Sequence, residues 1–402
     1  MDRALTEKRV ALGVTGSIAC YKAVDLASKL TQLGAGVDVL MTPAATRFVS
    51  PLSFRSVTGG GVFVDMFDPE SETAEQHVAV ARRIAGMIVA PASATTIARL
   101  AAGLAEDMVS LTALATTAPL VIAPAMDHHM WEHPATQHNL QTLQARGALV
   151  VGPEEGRLAS GHTGMGRLAE TAALIAALKT AMGRHGGDLA GRRIVVSGGP
   201  TREAIDTVRF ISNYSSGKMG FAIAEAARDR GATVTLVAGP TALPEPWGVM
   251  TVHVEGTAQM AEAVASACEG ADALVMAAAP SDFRPAEVRS RKIKRAGEEI
   301  AIALTPNPDI VAGVQVEGLV KVGFAAESED VLENAEAKVK RKGLAFIVAN
   351  DVTAPGSGFG TDTNQVVFID ASGRREHLPL LPKSEVAHRI LDRIVELLRQ
   401  RA

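Results

Sequence analysis

The densest run of chemically capable side chains is GGPTREAIDTVRFISNYSSGKMG, from Gly198 to Gly220. It follows the apolar run RRIVVS (192–197) and precedes a helical pattern that starts at Phe221. Thr201, Arg202, Asp206, Arg209, Asn213, Ser215, Ser216, Gly217 and Lys218 all fall within it. A loop between a strand and a helix suits a phosphoryl group, because the first amides of a helix lack backbone acceptors and the dipole favours an anion. The chemistry expected here is binding of a nucleotide or phosphorylated substrate. Neither Walker nor dinucleotide-fingerprint spacing fits, since position 212 is Ser and Lys218 is followed by Met219.

Other candidates are spread along the chain. In GVTGSIACYK (13–22), Gly16 lets backbone approach a ligand and Ser17 can cap a helix, although a structural turn explains the G-x-x-G spacing equally well. APASATTIARL (90–100) and APAMDHHMW (123–131) put proline and small residues at strand carboxyl ends, where α/β sheets hold ligands. His77 stands alone in EQHVAVARR; such a histidine is more often a surface or capping residue, so its chemistry depends on context. GRLASGHTGMGR (156–167) is glycine-rich enough for a flap. Lys292 and Lys294 lie in the charged, nonperiodic stretch 284–299. That stretch and the turn-rich 353–364 read as mobile, either lids or plain exposed loops.

Short apolar runs alternate with helical patterns throughout, which predicts two Rossmann-like three-layer α/β/α domains with mainly parallel sheets. The first half offers strands at 10–14, 37–41, 87–91, 120–124 and 148–152; the second at 194–198, 233–239, 273–280, 320–327 and 344–351. Those of the first half are nearly continuously apolar, so both faces of that sheet should be covered. A final helix is predicted over Lys383–Arg399, from the shared face of Val386, Ile390, Leu391, Ile394, Leu397 and Leu398. With 402 residues the chain exceeds one ordinary core, and the glycine-rich 183–190 is the expected linker between domains 1–182 and 191–402. A net charge of −4 gives no electrostatic case for nucleic acid, and 4% aromatics argue against stacking platforms. Two cysteines, Cys20 and Cys268, make neither a disulfide framework nor a metal cage. No signal peptide or membrane-length apolar run is expected, and the reading is cytoplasmic.

Taken together, GSIACYK, Thr42 in TPAATRF, PASATTIA, His77, PAM-x-x-x-MW and the flap resemble the flavin-dependent phosphopantothenoylcysteine decarboxylase domain. The resemblance implies a flavodoxin-like fold and FMN held between subunits of a trimer. It implies oxidation of a cysteinyl moiety to a thioaldehyde, loss of carbon dioxide, and hydride return to give 4′-phosphopantetheine. By carry-over Gly16, Ser17, Thr42, Ser93 and Thr95 would hold FMN, and His77 would be the base. Three departures matter: Asp127 for the usual Asn in PAMN, Ser160 for the flap Cys in LACG, and Thr95 for Asn in PASANT. Asp127 and Ser160 thereby inherit catalytic positions with altered chemistry. A hydroxyl is a far weaker acid than a thiol of reference pKa about 8.5. Cys20 is a further candidate acid, against the commoner reading of Cys as a small buried residue.

In the second half GGPTRE, DTVRFISN-x-SSGKMG, AAAPSDFRP, KIK, NPDI, GFAAE and AND resemble phosphopantothenate–cysteine ligase, in matching order. That family implies attack of the 4′-phosphopantothenate carboxylate on CTP, then capture of the acyl-cytidylate by L-cysteine. Asp282, Lys292, Asn307, Pro308, Asp309, Ile310, Phe324, Lys338 and Lys342 would contact CTP. Asn213 and Lys292 would be catalytic, and Ser215, Ser216, Gly217 and Lys218 would hold substrate. Mg²⁺ is expected with the triphosphate, with no protein metal-ligand set assigned. Pro280 and Ser281 replace small apolar residues of the usual AAVADF, and proline removes a backbone donor. Trimeric first domains and dimeric second domains would together give a homo-oligomeric dodecamer. Two rival readings are an active ligase fused to an impaired or oxidative-only decarboxylase, and a non-catalytic FMN-binding regulator. KIKR, NPDI and Asn213 together speak against the regulator.

Overall fold

The computed structural model describes residues 2–67, 75–294, 300–327, 338–351, 358 and 360–401. They fall into two compact units, 1–187 with 229–231, and 188–228 with 232–402.

In the first unit, β1 (Arg9–Val14), β2 (Gly36–Met41), β3 (Val62–Phe63), β4 (Gly86–Ala92), β5 (Leu120–Pro124) and β6 (Leu149–Val150) form a parallel sheet ordered β3-β2-β1-β4-β5-β6. β1, β2 and β4 bury almost every residue, which is why they read as nearly continuous apolar runs, interrupted in β2 by Asp38. Setting aside the two-residue edge strand β3, the remaining five run 2-1-3-4-5 in chain order, the flavodoxin-like arrangement. The winding direction changes between β1 and β4, and a crevice opens beyond their carboxyl ends. Asp38 on β2, fully buried, takes guanidinium forks from Arg9 and Arg83 at 2.8–3.3 Å. Arg83 ends the helix Gln76–Arg83 that carries His77, so this pair ties that helix to the sheet.

The second unit repeats the logic. Its parallel strands lie in the order Met250–His253, Thr233–Ala238, Arg193–Gly198, Ala273–Met276, Val320–Glu327 and Phe346–Asp351. Antiparallel Val366–Asp370 and Arg375–His377 follow. The direction changes between Arg193–Gly198 and Ala273–Met276. The final helix spans Lys383–Arg399 as the spacing predicts, burying Val386, Ile390, Leu391, Ile394 and Leu398 in the core.

Some boundaries differ from the sequence reading. The run 273–280 ends as a strand at Met276, because beyond it the chain leaves the sheet to line a cavity. The run 148–152 is paired only over Leu149–Val150. The expected flap is an antiparallel hairpin, Glu154–Arg157 with Thr163–Arg167, closed by a turn in which Gly161 has φ +87°. Helix Thr171–Gly186 runs into the segment read as a linker. Of the two stretches read as mobile, 295–299, 353–357 and 359 lie outside the described residues. The start of the first is held: Phe283–Pro285 pairs with Leu304–Pro306. No helix among the described residues is long and apolar enough to cross a membrane.

Candidate functional site

The crevice of the first unit is a cavity of about 720 Å³. Gly16, Ser17, Ser93, Asp127 and Ser160 line it, with Lys22, Met126, Met130, Arg157 and Arg167. Local chemistry explains the placement. Thr15, buried at the end of β1, donates to the Pro91 carbonyl at 2.7 Å and accepts from the Ser93 amide at 2.9 Å, joining the two strand ends. Ser93 caps the helix Ala94–Ala102, its Oγ accepting from the Thr96 amide. Gly16 has no room for a side chain, since a Cβ would come within 2.7 Å of the Ala44 Cβ. Thr42 is buried nearby, with Oγ1 accepting from the Ala45 amide, and neither it nor Thr95 or His77 lines the cavity.

Across the cavity Asp127 caps the short helix His128–Glu132, accepting from the His129 amide at 3.1 Å. Ser160, at the hairpin turn, donates its hydroxyl to Asp127 Oδ2 at 2.9 Å. The Ser160 bond, with the His129 amide, lowers the Asp127 carboxyl below its ordinary value. Two of the three departures from the family pattern are thus one hydrogen-bonded pair. Cys20 is fully buried, with Sγ donating to the Thr15 carbonyl at 3.0 Å, and burial pushes its thiol up. It faces the sheet end and not the cavity.

In the second unit a cavity of about 520 Å³ sits at the corresponding crevice. It brings together Ser215, Ser216, Gly217, Lys218, Asp282, Asn307, Pro308, Asp309, Ile310, Phe324, Lys338 and Lys342. Gly220 allows this convergence: a Cβ there would meet the Ser197 carbonyl at 2.6 Å and Gly198 Cα at 2.7 Å, so the helix Lys218–Asp229 can start against the strand end. Asn307 donates to the Ser281 carbonyl and accepts from Arg284, both at 2.9 Å, bracing the loop that carries Asp282. Asp309 caps the helix Ile310–Gly313 and pairs with Lys342 at 3.0 Å. Burial, the largest single influence on Asp309, opposes its ionisation, but the bond from Lys342, the Ala312 amide and the charges of Lys342 and Arg341 together hold its carboxyl below the usual value. Lys218 donates to the Gly360 carbonyl at 2.8 Å and Asp362 at 2.7 Å.

Asn213 and Lys292 do not line this cavity. The Asn213 amide donates to the Ala279 carbonyl and its oxygen accepts from the Ser215 amide, so it bridges the loop to the strand end. Lys292 is exposed. Sequence reasoning singled out Thr201 without its partner, and missed Glu203. Thr201 Oγ1 accepts from the Ser281 amide at 2.9 Å, and Glu203 accepts from the Thr257 amide and hydroxyl. Lys383 was missed as well. It is buried at the cavity wall and donates to the Gly358 and Thr361 carbonyls. Burial, then the neighbouring Lys218, lowers its ammonium pKa.

Two family models divide the chain: Flavoprotein over residues 1–183, and DNA/pantothenate metabolism flavoprotein C-terminal domain over 189–398. The coenzyme A biosynthesis bifunctional protein CoaBC of Bacillus subtilis is 42% identical over 400 residues, covering 98% of each chain. The protein of that name from Escherichia coli is 43% identical over 397 residues, covering 97% of each. The crystal structure of the C-terminal domain of a CoaBC protein aligns with a TM-score of 0.47 at 40% identity, covering 54% of this chain and 100% of that one. With both family models matched in order and relatives similar from end to end, the chain belongs to the family of bifunctional coenzyme A biosynthesis proteins.

Proposed function

We propose that the chain converts 4′-phosphopantothenate to 4′-phosphopantetheine in two steps. The second unit condenses the carboxylate with L-cysteine at the expense of CTP, through an acyl-cytidylate. The first decarboxylates the resulting 4′-phosphopantothenoylcysteine with FMN. The observation that carries this reading is the convergence of SSGKMG, AAAPSD, NPDI and the GFA strand on one cavity that also holds Lys338 and Lys342. A triphosphate approached by a carboxylate needs cations and oriented donors where negative charge gathers. The SSGKMG turn and the amides opening the Lys218–Asp229 helix suit the substrate phosphate, while Lys338, Lys342 and the Asp309-capped helix suit CTP. Mg²⁺ would accompany the triphosphate, held chiefly by its oxygens. Domains 1–182 and 191–402, joined by 183–190, would carry the two activities in the cytoplasm.

FMN fits the first cavity because it is large enough, bounded by a side-chain-free Gly16, and edged by a capped helix start. Gly16, Ser17 and Ser93, which line the cavity, would hold it together with Thr42 and Thr95, which do not; FMN would supply reversible two-electron chemistry at the cysteinyl group. His77 would take up a proton, and Asp127 with Ser160 would face the substrate. Because His77, Asn213 and Lys292 stand off the cavities of a single chain, neighbouring copies would bring them in: trimers of the first unit and dimers of the second, together a dodecamer. Exposed Phe210, Tyr214, Phe283, Ile302 and Leu304 on the ligase unit support the pairing.

Mass spectrometry after incubation with 4′-phosphopantothenate, L-cysteine, CTP and Mg²⁺ should show 4′-phosphopantetheine, CMP and pyrophosphate. No CTP-dependent product would overturn the proposal. A second expectation concerns Gly166, with φ +147° and a Cβ position only 2.1 Å from the Met126 carbonyl. Gly166→Ala should force the hairpin away from the strand end that carries Asp127. The purified protein should then lose most of its flavin absorbance, which leaves ligation intact as a control for folding.

A further inference from the structure

The charged segment 284–294 reads as a loose loop, yet Ile293 within it is gripped on both sides of its backbone. Asp206, whose side chain is wholly buried, accepts from the amides of Val208 at 2.8 Å and Arg209 at 2.9 Å, and from Arg209 Nε at 3.0 Å. Its Oδ2 also accepts from the Ile293 amide at 3.1 Å. Arg209 then donates from Nη2 to the Ile293 carbonyl at 2.9 Å. One ion pair therefore holds both the donor and the acceptor of a single residue. The Arg289 amide adds a bond to the Ile205 carbonyl at 3.1 Å, fixing the middle of the same segment.

Ile293 separates Lys292 from Lys294, and both ammonium side chains are exposed. A lysine on a free loop loses much of its electrostatic effect to disorder, whereas one whose backbone is fixed can meet charge in a defined place. The planar Arg fork and the carboxylate suit this grip, because together they present a donor and an acceptor in a set geometry. Asp206 does not line the cavity, so contact with substrate does not account for its burial and saturation with bonds. The Arg209 fork also keeps its carboxyl well below the usual carboxylate range, so the pair stays ionised across neutral pH.

We infer that Asp206, acting with Arg209, is a positioning residue for Lys292: it fixes the ammonium used in carboxylate activation by holding the Ile293 peptide. This rests on the ligase reading above. Asp206→Asn should lower ligase kcat roughly 10- to 100-fold, as a small misplacement of a catalytic group does. The KM for CTP should stay within about twofold, the pattern of an interaction made in the transition state. In a Lys292→Gln background, Asp206→Asn should cost almost nothing further, because the group it positions is gone. Losses that multiply instead would show a merely structural role and overturn the inference. Hydrogen exchange of the unaltered protein gives a test that needs no substitution. The Ile293 amide should exchange more slowly than that of Lys294, and equal rates would overturn the grip. A wild-type chain that forms no acyl-cytidylate would defeat the ligase reading itself; one that ligates normally, with Asp206→Asn at full kcat, would defeat only this inference.

Discussion

Lys292→Gln is expected to lower CTP-dependent ligation by about 10² or more, the scale seen when a charge-stabilising donor is removed. Glutamine keeps much of the length and a hydrogen-bond donor, so the loss isolates the positive charge. That charge matters because a carboxylate attacking a triphosphate draws two anions together before pyrophosphate departs. Lys338 and Lys342 line the cavity, and Lys342 is already paired with Asp309 at 3.0 Å, which takes up part of its charge. The ammonium at 292 is exposed and held through its backbone neighbour. Quantifying pyrophosphate release in the first turnover reads the step directly. Decarboxylation of supplied 4′-phosphopantothenoylcysteine should not change, which separates a chemical effect from misfolding. An unaltered ligation rate would refute the role.

Ser160→Cys should raise the yield of 4′-phosphopantetheine from 4′-phosphopantothenoylcysteine by about 10², the low end of what a positioned general acid contributes. The Ser160 proton already lies in a 2.9 Å bond to an ionised Asp127. Giving it up would leave two negative oxygens side by side, so this hydroxyl is a poorer acid than an isolated one. A thiol at that position has a reference pKa of about 8.5 and releases its proton far more readily. The Asp127 carboxyl is depressed in the folded chain, so its contribution to stability is present above the unfolded value of about 3.9 and is lost as pH falls through the folded one. The comparison therefore belongs near neutral pH, where that charge is constant. Single-turnover mass spectrometry distinguishes the decarboxylated enethiol from the final product. Equal yields from the two proteins would show that another group supplies the proton.

Much of the fold was legible because parallel strands buried on both faces leave nearly continuous apolar runs, as at Gly86–Ala92 and Ala273–Met276. The short antiparallel pairs were not. Phe283–Pro285 and Leu304–Pro306 are three residues each and half exposed, so they carry no alternation to read. Most residues lining the second unit's cavity were legible from the motifs, but Asn213 and Lys292, read as part of the same site, stand outside it, and the partners from distant chain segments were not legible. Lys383 opens a helix that reads only as amphipathic, and nothing nearby announces that its ammonium turns inward to two carbonyls. Thr201 and Glu203 were quoted within a motif, but their bonds to Ser281 and Thr257 depend on pairing between strands far apart in sequence. Asp127 and Ser160 looked like two separate losses; only the hairpin shows them as partners.

The burial of Lys383 at the wall of the ligase cavity bears on how the protein is made. The flavin cavity draws on residues no later than Leu168, so it can close while the ribosome is still extending the chain. The cavity of the second unit includes a lysine from the final helix in its wall, and that helix supplies one flank of the core beneath it. On the proposed function, translation arrested before Lys383 would thus release a chain with its first cavity complete and its second lacking one wall, so the half that consumes the intermediate would outlast the half that makes it. Early termination would cost the pathway its first step before its second.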